Sequence, residues 1–281
     1  MVALAMLAFA ANSLLCRFAL RADLIDPASF TMIRLASGSI TFLILGSLSK
    51  AEQDGDTKVP WTGAVCLALY AWAFAFAYVA LEAGTGALLL FGAVQATMLG
   101  ASLTLGERLN WRQGLGLVLS LAGLGIMLVP QFRLPSITQG GLMITAGIAW
   151  GFYSLIGRNS GAPMTAIRLS FRRAALLSVP LTLCFIGHLV VTSTGVFVAL
   201  ASGAAASGLG YYCWYQVLPK MTAFNAAIVQ LTVPVIAAVF GALVFSESLG
   251  LRFICAALAI AIGVVLAALS GTSPKPAVRA N

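Results

Sequence analysis

The chain is short of charge. Only 9% of its 281 residues are Asp, Glu, Lys or Arg, against 60% hydrophobic, whereas soluble domains carry roughly 25% charged residues. A water-soluble fold cannot hide that much apolar surface, so the surrounding solvent is lipid. Histidine is nearly absent: His188 stands alone near the end of an apolar run, so no metal site and no cofactor are expected. The five cysteines, Cys16, Cys66, Cys184, Cys213 and Cys255, form no close-spaced pair and all lie inside apolar runs. They read as small core residues, not as ligands or disulfides. The apolar runs lack the polar–apolar alternation of a transmembrane barrel. No convergent nucleophile–base set and no paired intramembrane aspartates occur, which argues against an intramembrane enzyme. No cleavable signal peptide is visible: Met1 leads at once into apolar sequence, so the first span begins there or the start has been trimmed.

What is present is a repeat. The polar joint Gly106-Glu107-Arg108-Leu109-Asn110-Trp111-Arg112 sits between two apolar runs, and a shift of 140 residues lands on Ser246-Glu247-Ser248-Leu249-Gly250-Leu251-Arg252, again between apolar runs. Glu107 falls on Glu247, Arg112 on Arg252 and Gly123 on Gly263. A spanning helix needs about 20 apolar residues. Ten predicted spans fill the chain, near 2–20, 28–48, 61–81, 85–105, 111–129 and 140–156, a seventh that opens at Thr165, and 194–217, 223–245 and 251–269. The seventh carries Arg168, Arg172 and Arg173, so its lipid-buried part is expected to begin near Ala174. Short twins support duplication: Ser13-Leu14-Leu15-Cys16-Arg17 against Ser154-Leu155-Ile156-Gly157-Arg158, and Thr31-Met32-Ile33-Arg34-Leu35 against Thr165-Ala166-Ile167-Arg168-Leu169.

The expected fold is therefore all-α and integral to the membrane, with ten transmembrane helices in two five-helix repeats, 1–133 and 134–281. An odd number of spans per repeat makes the second copy enter from the opposite face, so the repeats are inverted. The net charge of +8 reads as basic loops on the cytoplasmic side, not as a nucleic-acid partner. With the N-terminus inside, Lys50, Lys58, Arg108, Arg112, Arg158, Lys220, Lys275 and Arg279 fall on the inner side, which puts both termini in the cytoplasm.

This order of motifs resembles the drug/metabolite transporter superfamily, in particular its ten-helix members with two EamA domains. The resemblance covers nearly the whole chain and rests on Phe9-Ala10-Ala11-Asn12-Ser13 with Arg17, Ile33-Arg34-Leu35, Leu105-Gly106-Glu107-Arg108-Leu109 and their second-half twins. The sequence departs from the family pattern in two places. The usual Trp-Gly pair of the first span is Phe9-Ala10 here and survives as Trp150-Gly151, and the proline of the fourth span is Val94 here and survives as Pro234. The resemblance implies secondary transport of small metabolites, often export of amino acids, by alternating access. Spans 1, 3, 4, 6, 8 and 9 would line a central cavity and spans 5 and 10 would pack outside. It also implies a multi-pass protein of the bacterial inner membrane, with the lipid bilayer and a small-molecule substrate as partners. A ten-helix chain can form the whole pathway as a monomer or within a homodimer.

The individual residues carry competing readings. Asn12, Gln95 and Gln230 are uncharged polar groups deep in spans, suited either to substrate contact or to interhelical hydrogen bonds. Trp72, Phe76, Trp150, Tyr153, Tyr211 and Trp214 are candidates for an apolar substrate pocket, although Tyr and Trp near span ends also mark the interface. Arg34 and Arg168 are intramembrane charges with a gating, substrate or structural role. Pro234 is the preferred gating hinge, and Pro180 also lies within a span. Glu107 and Glu247, on opposite faces of an inverted fold, read as helix caps. Spans 4 and 9 lack Lys and Arg and span 1 lacks Asp and Glu. These absences disfavour phosphorylated substrates and organic cations and leave a neutral or zwitterionic metabolite. A structural or assembly membrane protein is the alternative, and it would have wholly apolar spans.

Overall fold

In lipid, a continuous chain can satisfy its own backbone N–H and C=O groups only as a helix or a closed barrel, and these non-alternating runs become helices. The computed structural model describes residues 1–48, 59–81, 83–107, 110–128, 136–245 and 250–269, and among them there is no β-strand. The helices are α1 (Val2–Arg21), α2 (Pro27–Leu48), α3 (Thr62–Tyr78), α4 (Ala83–Thr104), α5 (Trp111–Leu128), α6 (Ile137–Arg158), α7 (Pro163–Leu183), α8 (Ser193–Ala201), α9 (Gly210–Val217), α10 (Ala223–Val229), α11 (Thr232–Phe245) and α12 (Leu251–Ala268). They make ten rods, because α8 and α9 continue through a π-helical segment, Ser202–Leu209, and α10 and α11 are two parts of one interrupted rod. Among the described residues, seven rods are long and apolar enough to cross a membrane.

Two expected spans thus depart from a regular α-helix. Span 8 widens into a π-helix where the sequence runs Ser202-Gly203-Ala204-Ala205-Ala206-Ser207-Gly208-Leu209. Small side chains crowd neither the wide turn nor the adjoining helices. Span 9 breaks at Gln230 and Leu231, whose N–H groups bond three residues back to Ala227 and Ile228. Pro234, in the first turn of α11, has no N–H to offer the Gln230 carbonyl, which takes the Val233 N–H instead, at 3.1 Å. Span 7 is helical from Pro163, two residues before the expected opening at Thr165. Its first turns are held at the bundle end by Arg173, which donates to the Val59 carbonyl at 2.7 Å and covers the Trp61 ring at 4.8 Å.

The core lies between the two halves of the sequence. α3 packs on α6 and α7, α4 on α6 and α10, and α2 on α7 and the π segment; α1 packs on α9 and α11. On one edge α5 and α12 form a close antiparallel pair. A Cβ added at Gly116 would lie 2.5 Å from the Gly263 carbonyl oxygen, and one added at Gly123 would lie 2.8 Å from that of Ala256. The outer faces of this pair present Leu115, Val118, Leu121, Ile254, Leu258, Ile262 and Val265 to the surroundings, as a lipid-facing surface requires. Gly114 and Gly125 have nothing within 4 Å and take no part in the close approach. Two of the cysteines depart from the expected burial: Cys184 and Cys255 are exposed, while Cys16 and Cys213 are in the core.

Each end of the bundle has its own tie. At one end the α1–α2 joint meets the α7–α8 joint: Thr192 N–H donates to Leu24 O at 3.0 Å and Asp26 N–H to Val190 O at 2.8 Å. At the other end, the α4–α5 joint meets the end of α6 and the start of α10 through Glu107 and Arg158.

Candidate functional site

Aromatic side chains from four rods converge in the middle of the bundle. Trp150 of α6 lies 5.0 Å from Tyr70 of α3, 5.0 Å from Tyr211 of α9 and 5.2 Å from Phe9 of α1, ring centre to ring centre. The Phe9 and Tyr211 contacts are edge-to-face, which suits the ring quadrupoles. Tyr153 and Trp214 adjoin this set at 6.0 Å from Tyr211 and 5.9 Å from Phe9. Phe9 thus completes the wall that Trp150 begins.

Next to these rings lies the interruption of span 9. A broken helix leaves carbonyls short of their regular intrahelical bonds, and two glutamines bond to carbonyls beside the break. Gln95 of α4 donates to Ala227 O at 2.6 Å, and Gln230 donates to Ala226 O at 3.0 Å. Gln230 in turn accepts the Trp150 indole N–H at 2.5 Å. The second polar atom of Gln95, its Oε1, is buried without a hydrogen-bond partner among the described residues.

The interruption of span 8 gathers the other polar groups. Ser202, at the start of the π segment, donates to Asn12 Oδ1 at 2.7 Å. Arg34, 1% exposed, donates through Nε to Ser207 Oγ at 3.0 Å and through Nη2 to Tyr211 Oη at 3.3 Å. Its guanidinium carbon lies 5.5 Å from the centre of the Tyr70 ring and 6.0 Å from that of Phe74, within the range of cation–π attraction. Gly203 makes this possible: a Cβ there would collide with the Arg34 backbone and Ser37 Oγ.

The structure thus brings together Asn12, Arg34, Gln95, Trp150, Tyr153, Tyr211, Trp214 and Gln230. Trp72 and Phe76 belong elsewhere. Residues 70 and 74 lie on one side of α3 and residues 72 and 76 on the other, as helical spacing dictates. Trp72 donates to Ser178 Oγ at 2.8 Å and stacks on Phe76, and Phe76 meets Phe185 at 5.1 Å, a cluster with α7. Tyr70 and Phe74 occupy the central positions instead. Arg168 is not a mirror image of Arg34: it is only half-buried and lies against Gly46 near the end of α2.

Glu107 accepts from Arg158 Nη2 at 2.6 Å, from Ala223 N–H at 3.2 Å and, through its other oxygen, from Ser102 Oγ at 2.6 Å. The helix start that it serves is therefore that of α10, not that of α5, where Asn110 stands. Arg158 also donates to Met221 O at 2.9 Å. Glu247 lies outside the described residues. No group of three or more potential metal ligands occurs among the described residues.

An apolar-surfaced helical bundle with a buried polar and aromatic centre at two helix interruptions is the build of a multi-pass membrane transporter. The sequence comparisons then place the chain: it belongs to the EamA-like transporter family, which matches at residues 1–129 and again at 140–269. The chain is 48% identical over 263 residues to the uncharacterised protein PA1977 of Pseudomonas aeruginosa, covering 94% of this chain and 91% of that protein. It is 25% identical over 173 residues to the uncharacterised transporter YoaV of Bacillus subtilis, covering 58% of this chain and 59% of YoaV. A solved crystal structure shares the fold, with a TM-score of 0.76, 95% of this chain and 97% of that one covered, and 17% identity. Family members are transporters, not enzymes.

Proposed function

We propose that this EamA-family transporter is a secondary active exporter of a small neutral or zwitterionic metabolite, such as an amino acid. It works by alternating access around the centre built from Asn12, Gln95, Trp150, Tyr153, Tyr211, Trp214 and Gln230. The observation that carries this reading is the coincidence of the buried polar groups with the interruptions of spans 8 and 9. Discontinuous helices near mid-membrane are where transporters expose backbone groups to cargo, and an assembly protein has no use for orphaned polar atoms such as Gln95 Oε1.

The reading includes two inverted repeats, 1–133 and 134–281, both termini in the cytoplasm and residence in a bacterial inner membrane. The pattern of helix pairs supports the inversion. Rod 3 packs on rod 6 and rod 8 on rod 1; rod 4 packs on rod 6 and rod 9 on rod 1; rods 2 and 7, 4 and 9, and 5 and 10 pair with each other. Exchanging each rod for the one five places away returns the same set. Gly116 with Gly263 and Gly123 with Ala256 repeat this in one interface, since the 140-residue shift of the sequence turns 116 into 256 and 123 into 263. Antiparallel contacts that swap partners in this way are those of a two-fold axis across the helices. One chain holds the whole centre, so the unit is a monomer or a homodimer of complete protomers.

The test is counterflow in proteoliposomes preloaded with single members of a panel of neutral amino acids, sugars and organic cations. Accelerated entry of labelled amino acid into vesicles loaded with the same compound is expected. If only sugars or cations exchange, the substrate assignment is wrong, and if no solute exchanges under any gradient the transport reading is lost.

A further inference from the structure

We propose that Arg34, with the Tyr211 hydroxyl and the Tyr70 ring beside it, is the recognition point for a carboxylate group of the transported molecule. The proposal rests on the transport reading above and narrows its substrate class to organic acids and zwitterions that carry a free carboxylate.

The argument starts from what Arg34 lacks. A buried guanidinium is costly unless charge and hydrogen bonding are both met. Here neither is complete. All eight acidic residues of the chain, at positions 23, 26, 52, 54, 56, 82, 107 and 247, lie in or beside the polar joints, so the sequence places no carboxylate in a span to pair with it. The nearest in sequence, Asp26, is committed to the Ala28, Ser29 and Val190 N–H groups at 3.0, 2.9 and 3.1 Å. Glu107 is committed to Arg158, at the opposite end of the bundle. The groups that do touch Arg34 are neutral: Ser207 Oγ, Tyr211 Oη and the faces of Tyr70 and Phe74. Its Nη1 is buried with no hydrogen-bond partner among the described residues.

A purely structural arginine would use its donors. This one holds Nε and Nη2 in place against span 8 and leaves Nη1 spare, which is the geometry of a positioned fork awaiting an acceptor. A carboxylate meets a guanidinium with two parallel charge-assisted bonds, and Nη1 with Nη2, freed from its long contact to Tyr211, supplies them. The surroundings fit a small zwitterion. The ring set Tyr70–Trp150–Tyr211 links the Arg34 end to Gln230, and the unpartnered Gln95 Oε1, on the side chain that bonds the break in span 9, offers an acceptor suited to an ammonium.

The test measures binding separately from transport, so that the two readings fail separately. The full-length protein in detergent is titrated with neutral L-amino acids, with 2-oxo acids and short monocarboxylates, and with the amide and the decarboxylated amine of each amino acid. Quenching of Trp fluorescence and the shift in thermal midpoint are read. The expected result is saturable binding of at least one carboxylate, weakened at least about ten-fold in its amide and amine, the loss of one charge-assisted hydrogen bond. Arg34→Gln should abolish the difference between acid and amide, and Arg34→Lys, a point charge without the fork, should retain part of it. Equal binding of acid and amide by the wild-type protein overturns the proposal, as does the absence of any carboxylate ligand; neither needs a variant that folds. Chloride that stabilises as well as the best carboxylate, against a sulfonate buffer free of both chloride and carboxylates, also overturns it by making the site one for an inorganic anion only. Carboxylate-selective binding without counterflow leaves this inference standing and removes the transport reading instead.

Discussion

At the scale of the residue, the centre is built from individual side-chain hydrogen bonds between rods. Trp150 shows what that implies. Its indole N–H meets Gln230 Oε1 at 2.5 Å, while its ring contacts Phe9, Tyr70, Tyr153 and Tyr211. Trp150→Phe keeps an aromatic ring and deletes the donor, leaving a buried amide oxygen unpaired, a cost of about 1–3 kcal/mol. The expected outcome is a lower thermal midpoint in detergent together with a several-fold higher KM in counterflow. An unchanged KM with the same stability loss would mean that Trp150 only holds span 9 in place. Asn12, Gln95, Gln230 and Arg34 were legible in the sequence because a polar side chain in an apolar run is conspicuous. Tyr70 and Phe74 were not. Span 3 carries Tyr70, Trp72, Phe74, Phe76 and Tyr78 on every side and is buried nearly all round, so it has no polar face to say which stripe points to the centre. The neighbours decide: Ser178 and Phe185 take Trp72 and Phe76, and Arg34 takes Tyr70 and Phe74.

At the scale of the element, the two interrupted rods differ in how far the sequence announces them. Pro234 marks the break in span 9 because a missing N–H is a property of the residue itself. The π segment of span 8 has no such marker, since Ser, Gly and Ala at 202–208 fit an α-helix equally well. What selects the wider turn is contact with α1 and α2, at Gly203 against Arg34 and Ser37, Gly208 against Thr41 and Gly210 against Ala8. A single methyl group tests this. Gly203→Ala puts a Cβ into the Arg34 backbone and is expected to cost more than about 1 kcal/mol, as forced repacking of a close contact does. It should also shift Ser207 and Tyr211 away from the guanidinium. Gly125→Ala on α5 meets nothing within 4 Å and is expected to be neutral or to stabilise by up to about 1 kcal/mol, through helix propensity alone. Thermal unfolding of the two variants in the same detergent gives the comparison. Equal midpoints would mean that span 8 can retreat from α2 without loss, and that the π turn is not held by that contact.

At the scale of the whole molecule, the Glu107–Arg158 pair is a polar tie that bears on the proposed alternating access. It joins the α4–α5 joint in the first half of the sequence to the end of α6 in the second, and through Ala223 N–H and Met221 O it reaches the start of span 9 as well. Three joints are thereby fastened at one end of the bundle. The duplicated joint that contains Glu107 therefore identifies more than ancestry: its carboxylate ties neighbouring joints together. Side-chain exposures of 11% and 17% leave the pair partly shielded, and not so deep that breaking it strands two charges in apolar surroundings. A transporter that opens each end in turn must separate these joints once per cycle. The prediction follows for a cysteine-free background carrying Glu107→Cys and Arg158→Cys. Joining the two thiols with a bifunctional methanethiosulfonate is expected to stop counterflow, with recovery on reduction. A monofunctional reagent at the same sites, where the substitutions have already removed the ion pair, caps the thiols without tethering the joints and should leave counterflow running at a changed rate. Transport at the unlinked rate by the tethered protein would show that the joints at Glu107 and Arg158 stay together throughout the cycle, and the moving boundary would then have to lie elsewhere, with the α1–α2 and α7–α8 joints at the opposite end as the next place to tether.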